Sequence, residues 1–167
     1  MLYRMARAII CVLAVLILAA CSLEPEAPTA GDGEVGWVLT VIDGDTIDVD
    51  LNGETVRVRY VGVNTPERDE VCYSDATRAN RALVERQTVR LVADVSDTDR
   101  FGRLLRYVYV GDTFVNQQLI AEGWGEAVRY DPDVRYYDQF VQLENEAERA
   151  GRGCHPTGIF DDGSTTR

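Results

Sequence analysis

The chain has no lysine: all 17 of its basic residues are arginine, set against 28 acidic ones and a single histidine. The resulting formal charge of −11 argues against unspecific adhesion to nucleic acid or anionic membrane, since both need a cationic surface. The missing lysine and the acidity together suit a salty medium or a GC-rich genome. Long apolar runs are lacking as well. The uncharged stretch from Ala8 to Ala20 has thirteen residues, short of the ~20 that a helix needs to span a bilayer. Cysteine is scarce, with 4 in the chain and no Cys-x-x-Cys pair. A zinc site built from Cys72, Cys154 and His155 would lack its fourth ligand. What remains is ordinary for a folded protein: 167 residues, 46% hydrophobic and 27% charged, which is one full-sized domain at most.

Arg4 and Arg7 ahead of the apolar run give residues 1–20 the form of a signal peptide. Its end, Leu18-Ala19-Ala20-Cys21, resembles a lipobox, with Cys21 as the residue to be lipidated; the alternative is a secretory signal with a chance cysteine. Residues 21–34, rich in proline, glycine and acid, read as a flexible tether, so the protein is expected on the outer face of a membrane or secreted. Loss of the leader removes two arginines and no acid, taking the charge from −11 to −13. It also leaves Cys72 and Cys154 as the thiols of the mature domain. In an oxidising compartment they are expected to pair, closing a loop of roughly 80 residues and stabilising by about 4 kcal/mol. His155 is then expected at the surface beside the bridge.

From Val35 the pattern alternates and is punctuated by turns: Val35–Val41, Asp43-Gly44, Thr46–Leu51, Asn52-Gly53, Glu54–Val63. Asn-Gly between alternating runs predicts a hairpin. Val56, Val58 and Tyr60 alternate with Arg57 and Arg59, so one face is apolar and the other carries guanidinium groups. A helix is expected from a Ser74 cap to about Gln87, then strands over Thr88–Val95 and Leu104–Val110, and helices over Thr113–Glu122 and Val134–Ala150. Five strands, a helix after the third and two helices behind fit an α+β, mainly β, architecture over residues 35–160: a five-stranded OB-type Greek-key barrel with three helices. Residues 161–167 read as a disordered tail.

Three clusters carry chemistry: Ile42-Asp43-Gly44-Asp45-Thr46; Arg59 leading to Asn64-Thr65-Pro66-Glu67; and Asp99-Arg100-Phe101-Gly102-Arg103. Each lies where a strand meets a turn. Asp-Gly-Asp alone is most often a hairpin turn, and it is not an EF-hand, because Ile47 stands where an oxygen ligand is needed. Two arginines and at least two carboxylates gathered at one barrel end would be costly as packing, but they suit a phosphate beside a hard cation.

On these motifs the sequence resembles the staphylococcal (micrococcal) nuclease family from about Val38 to Ala150. The resemblance implies an OB-type barrel and a calcium-dependent phosphodiesterase acting on DNA and RNA, a monomer, leaving 3′-phosphate ends. It implies Asp45 as a direct Ca²⁺ ligand, Asp43 in support, and the Thr65 backbone oxygen as a further ligand. Glu67 would be the general base, and Arg59 and Arg103 would contact the phosphate. Asn64 departs from the pattern: better-known members carry a ligating aspartate there. An amide oxygen still coordinates Ca²⁺, with one ligand charge fewer. Phe101 replaces a familiar tyrosine, and Tyr130 is placed to stack on a base.

The residue chemistry stands beside the resemblance. Phosphodiester hydrolysis needs an activated water and puts charge on the phosphoryl oxygens, so one cation, two guanidiniums and a carboxylate base suffice. A rival of another class is a non-catalytic, membrane-tethered OB-type module that binds nucleic acid or protein. The joint presence of Asp45, Arg59, Glu67 and Arg103 argues against it. An oligosaccharide binder would want exposed aromatics along a strand face, and the strands offer few.

Overall fold

In the computed structural model, residues 33–161 and 163 are described. The leader, Cys21, the tether up to residue 32 and most of the 161–167 segment lie outside them. The period-two runs become β1 (Glu34–Val41), β2 (Thr46–Leu51) and β3 (Glu54–Tyr60). Asn52 and Gly53 turn β2 into β3 with positive φ at both positions, 58° and 91°, the backbone hand that matches strand twist. β4 (Val63–Asn64), α1 (Tyr73–Val84), β5 (Thr88–Val92), β6 (Leu104–Val110) and β7 (Thr113–Phe114) follow. The chain then forms α2 (Val115–Ala121), β8 (Glu126–Ala127), α3 (Tyr137–Arg149) and a 3-10 turn at His155–Thr157.

The strands run β3-β2-β1-β5-β6, and β3 also pairs with β6 in parallel, which closes a five-stranded barrel of the expected OB type. Inward positions carry the apolar half of each alternation: Val38, Ile47, Val49, Val58, Leu91 and Leu105 are all at most 1% exposed. Burying a side chain of this kind contributes about 1.5–3 kcal/mol. α2 and α3 cover one side through an aromatic cluster in which Tyr107, Phe114, Tyr136 and Phe140 lie 4.7–6.1 Å apart, centroid to centroid, in successive contacts. Asn116, fully buried, stitches this layer to the barrel: its Oδ1 accepts the Val108 N–H and its Nδ2 donates to the Val61 carbonyl, both at 2.9 Å.

Several expected boundaries move for local reasons. The third strand stops at Tyr60 rather than Val63, because Gly62 turns the chain at φ 75° and hands Val63–Asn64 to a separate ladder with β8. A Cβ at Gly62 would also lie 3.0 Å from the Phe140 ring. Ser74 is not the cap of α1: the cap lies two residues earlier, at Cys72, which sits at φ 71° with no side-chain cap, and the helix ends at Val84. β5 ends at Val92 rather than Val95, the α2 helix starts only after the two-residue β7, and α3 is shorter at both ends than 134–150. Cys72 and Cys154 are disulfide-bonded. His155, beside the bridge, is half-buried against Phe160; its Nε2 has no hydrogen-bond partner, and burial pushes its pKa down.

Candidate active site

The Asp-Gly-Asp turn is held shut by its own backbone, with the N–H groups of Ile42 and Asp43 donating to the Thr46 carbonyl. Asp43 Oδ1 then accepts the Asp45 N–H at 3.1 Å. Gly44 is required by space: a Cβ there would lie 2.6–2.7 Å from the Thr65 side chain. That close approach brings Asp45, 6% exposed, against the residues that follow β3. Its Oδ2 accepts the Thr65 N–H at 2.9 Å and the Thr65 hydroxyl at 2.8 Å. Its Oδ1 accepts the Thr46 hydroxyl at 3.0 Å and pairs with Arg59 Nη1 at 3.1 Å.

Arg59 therefore does more than decorate the polar face of β3. Nη1 also donates to the carbonyls of Tyr60 (3.0 Å) and Val63 (2.6 Å), and Nη2 makes a long 3.5 Å contact to Asn64 Oδ1. The guanidinium thus fastens the bend between β3 and β4 while keeping its charge beside Asp45. Asn64, 1% exposed, donates its Nδ2 to Glu126 Oε1 at 2.7 Å. Asp43, Asp45, Arg59, Asn64 and Thr65 are in this way brought together as the sequence motifs imply.

Asp43 is pinned from α1, where Asn80 donates to its carbonyl at 2.8 Å while accepting the Tyr60 hydroxyl at 2.9 Å. Burial first, and the neighbouring Asp45 carboxylate second, push the Asp43 pKa up from 3.8 to about 6. A carboxyl whose folded-state pKa lies above its unfolded value stabilises at low pH, and that stability is lost as pH rises through about 6. Asp43→Asn keeps an oxygen for the Asp45 N–H. Without metal it is expected to raise the melting temperature at pH 8 and to change it far less at pH 4; equal gains in melts at both pH values would contradict this.

Glu67 follows buried Pro66 and is exposed. Its N–H donates to Glu70 Oε2 at 2.7 Å and its carbonyl accepts the Glu70 N–H at 2.8 Å, a turn that sets the backbone and leaves the carboxylate facing solvent. Arg103 precedes β6, two ladder positions from the Leu105 that pairs with Arg59. Asp99 holds it: Oδ2 accepts Arg103 Nε at 2.6 Å, and Oδ1 accepts the Phe101 and Arg103 N–H groups at 2.9 Å. Burial would raise the Asp99 pKa, but these hydrogen bonds and the guanidinium outweigh it and hold the carboxyl below its usual range. Arg103 and exposed Phe101 border an open cleft of about 400 Å³ on the outer side of the β2–β3 hairpin, with Asp48 and Arg57 opposite. Tyr130 is 36% exposed in the turn after β8, where it is bridged to Asp133.

Three residues of this arrangement had no signal in the sequence. Asn80 sits in a helix whose periodicity marks only apolar positions. Gly125 admits the chain behind the site, where a Cβ would stand 3.0 Å from the Asn64 carbonyl. Glu126 lies on a two-residue strand, too short to show alternation.

Among the described residues no three His, Cys, Asp or Glu side chains converge on one point. A cation here would rely on a carboxylate plus amide and backbone oxygens. Asp45, Asn64 and Thr65 offer that set, all hard oxygen donors, with a second carboxylate beside them that burial and Asp45 disfavour as an anion. The donors fit Ca²⁺.

Comparison with known proteins identifies the family of the chain. The family model described as staphylococcal nuclease homologue matches residues 57–154. The thermonuclease of Staphylococcus hyicus is 31% identical over 153 residues, 84% of this chain and 90% of that protein. The thermonuclease of Staphylococcus intermedius is 37% identical over 123 residues, 70% of this chain and 73% of that one. Endonuclease YncB of Bacillus subtilis (strain 168) is 42% identical over 115 residues, covering 64% of this chain and 54% of that protein. With the barrel and these matches in agreement, the chain belongs to the staphylococcal nuclease homologue family.

Proposed function

We propose that the protein is a calcium-dependent nuclease that hydrolyses phosphodiester bonds of DNA and RNA. The observation that carries this reading is the largely buried Asp45–Arg59 pair joined to Asn64 and Thr65 at the barrel mouth. Such a concentration of charge and directed oxygen contributes little to packing and is suited to holding a cation and a phosphate together.

Asp45, Asn64 and the Thr65 carbonyl would hold Ca²⁺, with Asp43 behind Asp45. Bound there, the ion would supply Lewis-acid polarisation of the phosphoryl oxygens. Arg59, anchored through backbone carbonyls, presents a fixed positive charge and needs no reorganisation as negative charge develops on the phosphate. Arg103 is braced along its Nε edge by Asp99, so its guanidinium is oriented before substrate arrives. Arginine suits both places because its fork can hold two phosphate oxygens and stays charged. Glu67 accepts a proton from water for in-line attack. The leaving oxygen is the 5′ one, giving 3′-phosphate ends.

A charge of −13 opposes encounter with a polyanion, but within a Debye length that shortens to ~3 Å at 1 M salt only local contacts count. The enzyme works outside the cell, held at a membrane through Cys21. The test is digestion of plasmid and single-stranded DNA with calcium or excess chelator across a salt series, using the full chain and its Cys21→Ser form. Cutting is expected to need calcium and to decline gently with salt, and only Cys21→Ser is expected to leave the membrane fraction. Undiminished cutting in chelator would overturn the calcium dependence.

A further inference from the structure

Asn64 and Glu126 face each other across the β4–β8 ladder, and both are buried, at 1% and 7% exposure. Such cross-strand neighbours share one face of the sheet and interact directly. The bond between them is short, 2.7 Å from Asn64 Nδ2 to Glu126 Oε1. A carboxylate can only accept and a guanidinium can only donate, so the amide has one orientation that satisfies both neighbours. Its NH₂ must point to Glu126 and its oxygen towards Arg59, as is found. Turned over, the amide would aim donors at Arg59 and an oxygen at a carboxylate.

We infer that Glu126 is a positioning residue for the cation site: it holds the Asn64 amide oxygen on the side of Arg59, the partner of Asp45, and supplies, one bond behind, the negative charge that asparagine lacks. The pair is matched. An aspartate at position 64 would set two carboxylates against each other in a buried place, whereas asparagine turns the same contact into a hydrogen bond. Gly125 lets β8 come this close, since any Cβ there would press on the Asn64 carbonyl and the Thr65 methyl group.

This inference rests on the calcium reading above, and its test separates the two. Calcium chloride is titrated calorimetrically into the parent, Glu126→Gln, Glu126→Ala, Asn64→Asp and Asn64→Asp/Glu126→Gln proteins, and each is melted without metal. Glu126→Ala is expected to weaken calcium binding at least tenfold, and Glu126→Gln, which keeps an acceptor of the same shape, by less. Asn64→Asp alone is expected to lower the metal-free melting temperature by about 5 °C, and adding Glu126→Gln to recover most of it. A folded Glu126→Ala or Glu126→Gln protein that binds calcium as the parent does would overturn the inference alone, as would Asn64→Asp melting with the parent. A parent that binds no calcium would overturn the calcium site itself and this inference with it.

Discussion

Glu67→Gln is expected to cut DNA about a thousandfold more slowly than the parent while melting within about a degree of it. The two halves of that expectation come from different parts of the structure. The Glu67 side chain is exposed, and the 67–70 turn is closed by its backbone N–H and carbonyl, neither of which the substitution alters. Glutamine keeps the shape and loses only the ability to take a proton. General-base catalysis contributes about 10²–10⁴ in rate, so the loss should fall in kcat, with KM for DNA little changed because, on the proposed reading, Arg59 and Arg103 would still hold the phosphate. Single-turnover cleavage beside a thermal melt measures both. Cutting at the parent rate by a folded protein would remove Glu67 from the mechanism and leave the base to be sought elsewhere at the barrel mouth.

The carboxylate and arginine positions of the proposed site are legible in the sequence because each sits beside a residue with a strong local signal. Gly44 marks the Asp-Gly-Asp turn, Pro66 breaks the strand pattern within Asn-Thr-Pro-Glu, and Gly102 breaks the run before Arg103. The barrel was legible for the same reason, since period-two alternation and an Asn-Gly turn are local patterns; Thr46–Leu51 and Leu104–Val110 fall at the expected residues. What could not be read depends on partners distant in sequence. β4 pairs with β8 more than sixty residues later, and neither two-residue strand shows a period. Cys72 caps α1 in a left-handed conformation in place of the hydroxyl of Ser74, although serine has the better intrinsic propensity for that place. The loss of charge at Asn64 could be read from the sequence, but the carboxylate behind it could not. A position judged weak as an isolated ligand becomes half of a buried pair once β8 is in place.

Removing the disulfide with Cys72→Ser/Cys154→Ser is expected to cost about 4 kcal/mol and to lower the melting temperature by about 10–15 °C. The sequence separation of 82 residues makes the closed loop long, and constraint of the unfolded chain grows with loop length. The bond also has a place in the folded state. It joins the start of α1, directly after the 67–70 turn, to the segment behind α3. That segment is already docked by backbone against the end of α2: the Cys154 N–H donates to the Gly123 carbonyl at 2.8 Å, and Gly123 and Gly153 approach too closely for a Cβ on either. Cys72 is thus the tie between the helical layer and the loop that carries Glu67. Two effects should therefore separate with temperature. Well below its melting point the disulfide-free protein should bind calcium as the parent does, because the Asp45 cluster lies on the barrel and shares no atom with the bridge. Its kcat should fall several-fold as the Glu67 loop loses its far anchor. A variant that melts within 2 °C of the parent, by an estimate on the same scale, would mean that the helical layer and the barrel hold together without the bridge. Unchanged kcat in a destabilised variant would assign the bridge to stability alone.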